Sequence, residues 1–421
     1  MSTKKNILVY ADWLGMKSPL LMGSLDAVRV RGKETFTFEY TKEWLQSGFN
    51  LTLDPDLQYY SGRFFPKDEK QNFGMFLDSC PDRWGRVLMD RREAVMAKAE
   101  KRAPQKLFES DYLLGVYDMH RMGALRFKVS KEGEFLNGDK SMSIPPWTSL
   151  RDLEHASNMF EEERLSDKNQ LKWINMLLAP GSSLGGARPK ASISDPSGNL
   201  WIAKFPSIKD EKNVGAWEYV AFSLAKKCGL NIAEGEVKKF NNKYHTFLTK
   251  RFDRNKKGQR IHFASAMTML GRTDGADHSS GAGYLEIAEF LIRHGAYTDR
   301  DLEELWRRIV FYISIKNTDD HLRNHGFLLT EKGWELSPAF DVNPNEFGTG
   351  LSLNISETDN GLDFDLAINV AEYFRVSKVK AARIIKRINT TIPEWRKIAQ
   401  YTGISKAEQE RMSAAFKPGL I

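Results

Sequence analysis

The stretch from Ile315 to Pro344, IKNTDDHLRNHGFLLTEKGWELSPAFDVNP, contains the polar residues that decide how the rest of the chain is interpreted. Asp319 and Asn324 stand five positions apart, and Asp341 follows the segment from Gly326 to Leu336. Two short apolar runs in that segment predict a β-hairpin between the polar residues. Asp and Asn also cap ordinary turns, so the pattern by itself leaves a purely structural role open.

Phosphoryl transfer offers a chemical interpretation of this spacing. Protein kinases place a catalytic-base Asp five positions before a metal-binding Asn, and a second metal-binding Asp comes later. Asp319, Asn324 and Asp341 occur in the same order, so we expect them to hold magnesium and the terminal phosphate of ATP. An alternative set of metal ligands in the same stretch stays open: Asp320, His321 and His325.

Composition predicts an ordinary intracellular globular protein. With 421 residues, 28% charged and 41% hydrophobic, the chain is long enough for two or three domains. Its two cysteines, Cys80 and Cys228, do not form a disulfide framework, which favours the cytosol. The N-terminus resembles a first strand rather than a signal peptide, and no apolar run reaches the ~18 residues of a membrane helix. The net charge of +7 permits contact with nucleic acid without arguing for it.

The N-terminal part is predicted to be β-rich. Strand-like runs occur at Ile7 to Tyr10, Ala27 to Val30, Thr35 to Tyr40, Tyr112 to Tyr117 and Met122 to Val129. A helix is predicted after Pro81, and residues 131–147, which carry Gly, Ser and Pro, are predicted to form a linker.

A glycine-rich loop follows at Gly181 to Lys190, GSSLGGARPK. Such a loop lets backbone N–H groups approach phosphate oxygens closely. It is not a Walker A loop, because Ala187 and Arg188 stand where that motif needs lysine and Ser or Thr. A flexible turn is the alternative.

The next elements match the order of a kinase N-terminal lobe. Lys204 lies near the end of the apolar strand NLWIAKF, where a buried lysine is costly unless it is paired. Glu218 lies in the first turns of the following predicted helix, Val214 to Cys228, and kinases pair a strand lysine with such a glutamate. A snorkelling surface lysine is the alternative.

The segment LTKRFDR, Leu248 to Arg254, lies where a kinase hinge would contact adenine, and we expect Phe252 and Asp253 nearest the nucleoside. From about Ala264 onwards the chain is predicted to be mainly helical. An apolar stripe between Leu302 and Ile313 predicts a core helix, with Thr298 and Asp301 as its capping box.

These motifs together resemble the HipA family of bacterial serine/threonine kinases, the toxin halves of HipA–HipB toxin–antitoxin modules. The motifs that carry the resemblance are SSLGGARPK, LWIAKFPS, LTKRFDR, NTDDHLRNHGFLL and SPAFDVNP, with PDRWGR upstream. The resemblance implies an α+β, two-lobed protein-kinase-like fold with a β-rich N-terminal subdomain and an all-helical C-terminal lobe. The implied domains are residues 1–145, an N-lobe over 146–253 and a C-lobe over 254–421.

The resemblance also implies roles for individual residues. Asp319 would be the catalytic base, Asn324 and Asp341 would bind Mg²⁺, and Lys204 would hold phosphates. Glu218 and Asp253 would support the site. The remaining residues that would line the ATP site are Gly185, Gly186, Ala187, Arg188, Pro189, Lys190, Lys250, Arg251, Phe252, His321, Arg323 and Phe340.

The loop also carries the position of the family's autophosphorylated serine, which Ser183 matches, with the adjacent Ser182 as second choice. Phosphorylation there would add roughly −2 charge to a loop that must approach ATP, which opposes binding. The sequence departs from ordinary protein kinases in two ways: His321 follows the catalytic Asp instead of preceding it, and Phe340-Asp341-Val342 replaces D-F-G.

The implied function is transfer of the ATP γ-phosphate to a protein serine, with an aminoacyl-tRNA synthetase as the family's substrate class, in a cytoplasmic toxin. The implied partners are a HipB-like helix-turn-helix antitoxin and, through it, operator DNA; no membrane is implied. Two alternatives stay open: a small-molecule phosphotransferase of the aminoglycoside- or choline-kinase type, and a catalytically silent, DNA-associated regulator that depends on an antitoxin.

Overall fold

In the computed structural model of the protein, the described residues are 3–67, 69–139, 145–162, 167–178 and 186–416. They belong to two compact units. The first unit contains Met1–Ile208 and Asp253–Ala264, and the second contains Lys209–Phe252 and Ser265–Ile421. Among the described residues, no helix is long and apolar enough to cross a bilayer.

The first unit contains an antiparallel five-stranded sheet in the order β4-β3-β2-β1-β5. Alternate side chains along a strand face opposite sides of a sheet. Ile7 and Val9 of β1 and Phe36 and Phe38 of β3 are accordingly buried. The strands are β1 (Thr3–Ala11), β2 (Leu20–Val30), β3 (Lys33–Tyr40), β4 (Arg63–Phe64) and β5 (Leu125–Lys128).

Six α-helices accompany this sheet among the described residues of the first unit. Aromatic packing joins β3 to α2, since the rings of Phe38 and Phe76 lie 5.7 Å apart. The helices are α1 (Lys42–Leu45), α2 (Gly74–Leu77), α3 (Arg83–Ala99), α4 (Glu109–Gly115), α5 (Leu150–Glu161) and α6 (Asp167–Leu178). The predicted helix after Pro81 is α3, and the predicted strands in β1, β2, β3 and β5 are confirmed.

The prediction of a strand at Tyr112 to Tyr117 is wrong, because Tyr112 to Gly115 form the end of helix α4. Side chains satisfy the first backbone N–H groups of that helix: Asp111 Oδ2 accepts from Phe108, and Glu34 Oε2 accepts from Ser110. An acidic first turn stabilises a helix N-terminus. The apolar run Tyr-Leu-Leu concealed this signal.

The described part of the predicted linker at residues 131–147 packs against strand β5 of the first unit. The Leu136 N–H donates to the Phe127 carbonyl oxygen at 2.8 Å, and the guanidinium of Arg126 lies 3.6 Å from the centre of the Phe135 ring. Residues 140–144 lie outside the described part of the chain.

Arg121 is fully buried in the first unit and joins several of its segments. Its guanidinium lies 4.5 Å from the centre of the Phe127 ring. Burial lowers the pKa of Arg121 to about 10, so the group remains charged at neutral pH. Its two terminal nitrogens donate to four backbone carbonyl oxygens at 2.8 to 3.1 Å, those of Ser79, Leu113, Val116 and Leu136.

A second pair of strands in the first unit, β6 (Lys190–Ser194) and β7 (Leu200–Lys204), forms a hairpin around Asp195-Pro-Ser-Gly. Asp195 organises the turn, because its Oδ1 accepts from the N–H groups of Ser197 and Asn199 at 2.9 Å. In this register Lys190 lies opposite Lys204.

The second unit is mainly helical, as predicted from about Ala264 onwards, with two β-hairpins. The hairpin strands are β8 (Gly235–Lys238) with β9 (Thr246–Lys250), and β11 (Gly326–Thr330) with β12 (Gly333–Leu336). A short strand, β10 (Phe263–Ser265), leads into the longer segment of this unit. The helices are α7 (Val214–Cys228), α8 (Ala266–Met269), α9 (Tyr284–His294), α10 (Thr298–Ile315), α11 (Phe364–Asn369), α12 (Lys378–Thr391), α13 (Trp395–Tyr401) and α14 (Lys406–Met412).

Helix α10 is the core helix of the second unit and carries the predicted apolar stripe, which is buried. Its Trp306 Nε1 donates to the Ala367 carbonyl oxygen at 2.8 Å. The predicted capping box at its start is wrong: Tyr297 occupies the cap position, and Thr298 Oγ1 donates to the carbonyl oxygens of Leu291 and Gly295 instead.

The expectation of an all-helical C-terminal lobe needs one correction. The β11–β12 hairpin, which the stretch from Gly326 to Leu336 itself predicts, lies between the helices of the second unit. Its two strands pair antiparallel, with Phe327 opposite Leu336 and Thr330 opposite Gly333.

We expect Arg121→Lys to lower the free energy of unfolding by about 2–4 kcal/mol, since lysine lacks the planar fork and leaves buried carbonyl oxygens without donors. Thermal unfolding followed by circular dichroism measures the change. Arg91→Lys, at an exposed position of α3, is the matched control. Equal melting temperatures for the two variants would refute the role given to Arg121.

Candidate active site

The exit of helix α10 delivers the chain into the polar stretch. Lys316 ends the helix in a left-handed conformation with φ of 50°. Asn317 then holds the loop from both sides: its N–H donates to the Tyr312 carbonyl oxygen at 2.9 Å, and its Oδ1 accepts from the N–H of Asn343 at 2.8 Å. Asn317 therefore joins the loop after α10 to the segment that carries Asp341.

A single side chain accounts for the five-residue spacing between Asp319 and Asn324. The Nδ2 of Asn324 donates to the Asp319 carbonyl oxygen at 2.7 Å and so closes the loop between them. The Asp319 side chain is 83% exposed, and its Oδ1 lies 3.9 Å from His321 Nε2. The loop backbone is thus fixed while the Asp319 side chain remains largely exposed to solvent.

The side-chain oxygen of Asn324 has the properties of a cation ligand. The residue is only 4% exposed, and its Oδ1 is buried without a hydrogen-bond donor among the described residues. A buried amide oxygen without a donor is costly unless a cation or water satisfies it. Amide and carboxylate oxygens are the ligands that Mg²⁺ takes in proteins, so Asn324 fits this ion.

Asp341 has an unusual backbone conformation. Its φ of 55° lies in the left-handed region, which Asp tolerates better than most residues. The carboxylate accepts a 3.1 Å hydrogen bond from Asn343 Nδ2, and the side chain lines the same small cavity as the buried Glu218. The carboxylate is chemically suited to share a magnesium ion with Asn324.

The alternative set of metal ligands is not supported. Both Asp320 oxygens are already bonded, one to the Tyr284 hydroxyl and the other to the Ser352 N–H at 2.7 Å. His325 is fully buried against the aromatic rings of Tyr284 and Tyr312. Among the described residues, no group of three or more His, Cys, Asp or Glu side chains could hold a metal.

Asp320 instead anchors the loop from inside. Its carboxyl is buried, and burial raises its pKa to about 7. The Ser352 hydroxyl also donates to the Thr318 carbonyl oxygen at 2.7 Å. Tyr284, at the start of α9, and Ser352 therefore hold both sides of Asp319 in place through Asp320 and Thr318.

Of the expected hinge residues, Lys250, Arg251 and Phe252 belong to the second unit, and Phe252 lies near Phe340. The Phe252 ring centre lies 5.5 Å from that of Phe340. The Lys250 N–H donates to the Glu234 carbonyl oxygen at 2.8 Å, and its ammonium lies 3.3 Å from the Glu234 carboxylate. Arg251 is buried. On the loop, Arg323 lies 3.5 Å from Asp274.

Apart from Glu218, the remaining predicted residues belong to the first unit. Asp253 is buried, and its Oδ2 accepts from the Gly123 N–H at 2.9 Å and pairs with Arg254 at 2.6 Å. Lys204 is buried near the end of β7, whereas Glu218 belongs to the second unit. Ser182, Ser183 and Gly185 lie outside the described residues.

The end of the glycine-rich loop is described from Gly186 onwards. Gly186 and Ala187 are exposed, and the Pro189 carbonyl oxygen accepts from the Phe205 N–H at 2.9 Å. Arg188 donates to the Phe205 carbonyl oxygen at 3.3 Å. The Lys190 ammonium, expected to contact ATP, is buried and paired with Asp82 at 2.6 Å.

Sequence reasoning missed the residues that hold the loop in position, namely Asn317, Tyr284, Ser352 and Asn343. An asparagine at the exit of a core helix is a weak signal, because asparagine is common at helix ends. It also missed an open polar cleft beside Thr318, which Asp277, His278, Asn345, Phe347 and Ser352 help to line.

Comparison with known proteins is consistent with these motifs. A model of the HipA-like C-terminal domain matches residues 182–396. A Haemophilus influenzae protein named "Putative kinase" is 27% identical over 233 residues, which cover 51% of this chain and 65% of that protein's own length. The serine/threonine-protein kinase toxin HipA of Shewanella oneidensis is 22% identical over 335 residues, covering 73% of this chain and 70% of the toxin.

The fold is also similar to a solved structure. HipA in the Shewanella oneidensis MR-1 complex of HipA, HipB and operator DNA matches with a TM-score of 0.63 at 17% identity, over 98% of this chain and 95% of that chain. The likeness confirms the predicted α+β, HipA-like fold class.

The buried Asp320 predicts a specific pH dependence of stability. An acid whose pKa is higher in the folded state binds more protons when folded, so its contribution is greatest below about pH 4 and is lost towards about pH 7. We expect wild-type stability to fall over this range relative to Asp320→Asn, by at most about 4 kcal/mol.

Melting temperatures of both proteins at several pH values between about 4 and 8 measure this difference. Asp365→Asn, at an exposed position of α11, is the control and should follow wild type. Parallel pH curves for wild type and Asp320→Asn would contradict the buried carboxyl.

Proposed function

The chain belongs to the HipA family, through its HipA-like C-terminal domain over residues 182–396, and on this premise we propose that it is an ATP-dependent protein serine/threonine kinase. Relatives named as kinases support the reaction class. The names of those relatives support a kinase reaction and do not identify a substrate.

One observation carries the proposal: the side chain of Asn324 bonds to the Asp319 carbonyl oxygen and leaves its own buried Oδ1 without a donor. The same loop, from Asp319 to Asn324, therefore offers an exposed carboxylate at its start and a cation ligand at its end. Phosphoryl transfer depends mainly on such positioning and on charge neutralisation.

We assign the chemistry as follows. Asp319 accepts the proton of the substrate serine hydroxyl as that oxygen attacks the γ-phosphorus of ATP, and ADP leaves. We place the acceptor segment in the polar cleft that Thr318, the residue before Asp319, helps to line. Bound magnesium, held by Asn324 and Asp341, would neutralise charge on the transferred phosphoryl group.

The other nucleotide contacts are proposed on the order of the motifs. Lys204 holds phosphates, and Glu218 supports it. The backbone of the loop that ends at Lys190 approaches the phosphates, and Lys250 to Phe252 contact the nucleoside. Lys190 contributes through the position of that loop, because its ammonium is already paired with Asp82.

Partners and regulation complete the proposal. We propose that the protein acts in the cytoplasm as a growth-arresting toxin, neutralised by a HipB-like helix-turn-helix antitoxin that links it to operator DNA. The Shewanella complex of HipA, HipB and operator DNA supports this kind of partner. An aminoacyl-tRNA synthetase is the proposed substrate class, and Ser183, with Ser182 as second choice, is the proposed autophosphorylation site.

Intact-mass spectrometry after incubation with Mg-ATP, together with release of ADP, tests the proposed reaction. We expect wild type to gain phosphate in the Gly181–Lys190 peptide and Asp319→Asn to lose about 10²–10⁴ in rate, because it lacks the base. Glu357→Gln, at an exposed position distant in sequence from the loop, should retain the wild-type rate.

Two other outcomes have clear meanings. Phosphate on a different peptide of wild type would retain the kinase and reject Ser183 and Ser182. A wild-type protein that gains no phosphate, releases no ADP and binds no Mg-ATP would reject the kinase and favour the non-enzymatic regulator.

A further inference from the structure

The stretch PDRWGR, Pro81 to Arg86, has no place in the chemistry proposed above, yet two of its side chains contact the end of the glycine-rich loop. We call Gly186 to Lys190 the phosphate-loop end. We propose that Asp82 and Trp84 are positioning residues that set the place of the phosphate-loop end and thereby its affinity for nucleotide phosphates. This inference rests on the proposed function, because it takes the loop to be the phosphate-binding element.

A buried ion pair carries the first step. The Lys190 ammonium lies 2.6 Å from Asp82 Oδ2, and the two side chains are 3% and 2% exposed. The same ammonium donates to the Gly186 carbonyl oxygen at 3.1 Å. Because Gly186 is left-handed, with φ of 94°, the phosphate-loop end turns back on itself and is closed by the side chain at its own last residue.

Trp84 holds the backbone of the same residue. Its Nε1 donates to the Lys190 carbonyl oxygen at 3.0 Å, and its ring lies 5.3 Å from that of Phe160. Asp82 also caps helix α3, since its Oδ1 accepts from the Gly85 N–H at 2.9 Å. One helix turn therefore fixes both the side chain and the backbone of Lys190.

The charge balance gives a reason for the pair. Lys190 lies directly opposite Lys204 in the β6–β7 register, and both side chains are buried. Opposite residues of an antiparallel pair share one face of the sheet, where like charges repel. Asp82 neutralises Lys190, so the ammonium that faces Lys204 across the two strands carries its own counterion.

A purely structural ion pair predicts something different. It would change stability and affect every nucleotide or nucleoside contact in proportion. Positioning of the phosphate-loop end predicts a loss confined to ligands that carry phosphates. The comparison of Mg-AMPPNP, a non-hydrolysable ATP analogue, with adenosine therefore separates the two roles.

The test uses the full chain and displacement of a fluorescent ATP analogue by either ligand. Trp84→Phe keeps an aromatic ring but removes the hydrogen bond to Lys190. We expect it to weaken Mg-AMPPNP binding about tenfold, the effect of one lost hydrogen bond, and to change adenosine binding by less than about twofold. Arg86→Lys is the matched control, since Arg86 donates to Pro81 and Glu109 instead.

A second variant covers the ion pair. Asp82→Asn alone leaves a buried ammonium without its counterion, which is strongly destabilising. The charge-balanced double variant Asp82→Asn/Lys190→Met removes this penalty. We expect the double variant to melt closer to wild type than Asp82→Asn does, and still to bind Mg-AMPPNP more weakly than Arg86→Lys.

The outcomes are distinct. If wild type binds Mg-AMPPNP, and Trp84→Phe and the double variant bind it as tightly as Arg86→Lys does, the positioning role is refuted and the kinase proposal stands. An equal loss of adenosine and Mg-AMPPNP binding would also refute it, in favour of a structural pair. If folded wild type binds no Mg-AMPPNP, the proposed function fails first and this inference with it.

Discussion

The hydrogen bond from Asn324 Nδ2 to the Asp319 carbonyl oxygen is the contact on which the account of the second unit depends. The bond uses an N–H of the amide and leaves the amide oxygen buried, where we propose that a cation binds. It also fixes the loop backbone so that the Asp319 carboxylate can stay exposed. A different residue at position 324 would lose the bond or the ligand, because only an amide of this length supplies a donor and an acceptor together.

Among the described residues, three buried ionisable side chains are stabilised in the same way, by hydrogen bonds or an ion pair. Arg121 donates to four carbonyl oxygens, Lys190 pairs with Asp82, and Asp320 accepts from Tyr284 and Ser352. Each group is costly to bury unless its partners are in position, so each ties distant segments together. Lys190 ends the glycine-rich loop, and Asp320 follows Asp319. The contacts that stabilise these two buried groups therefore also hold the two loops in place.

Local patterns predicted much of the fold. Helix α7 has the predicted bounds, with Gly229 at its C-terminal end, and five motifs indicated the HipA family, which the family model confirms. The strand expected at Tyr112 to Tyr117 failed because Glu34, far away in sequence, helps to begin a helix there. The Asp82–Lys190 pair spans 108 positions, and no local pattern predicts such a contact. Whether the predicted site residues act as assigned stays a prediction.

The most direct measurement of the central claim is a crystal structure of the protein with Mg-AMPPNP. We expect a magnesium ion with Asn324 Oδ1 and an Asp341 carboxylate oxygen among its ligands, each at about 2.1 Å. We also expect that the Asp319 carboxylate remains free of the metal. A bound nucleotide whose magnesium contacts neither Asn324 nor Asp341, or a metal held by Asp319 itself, would contradict the roles assigned to this loop.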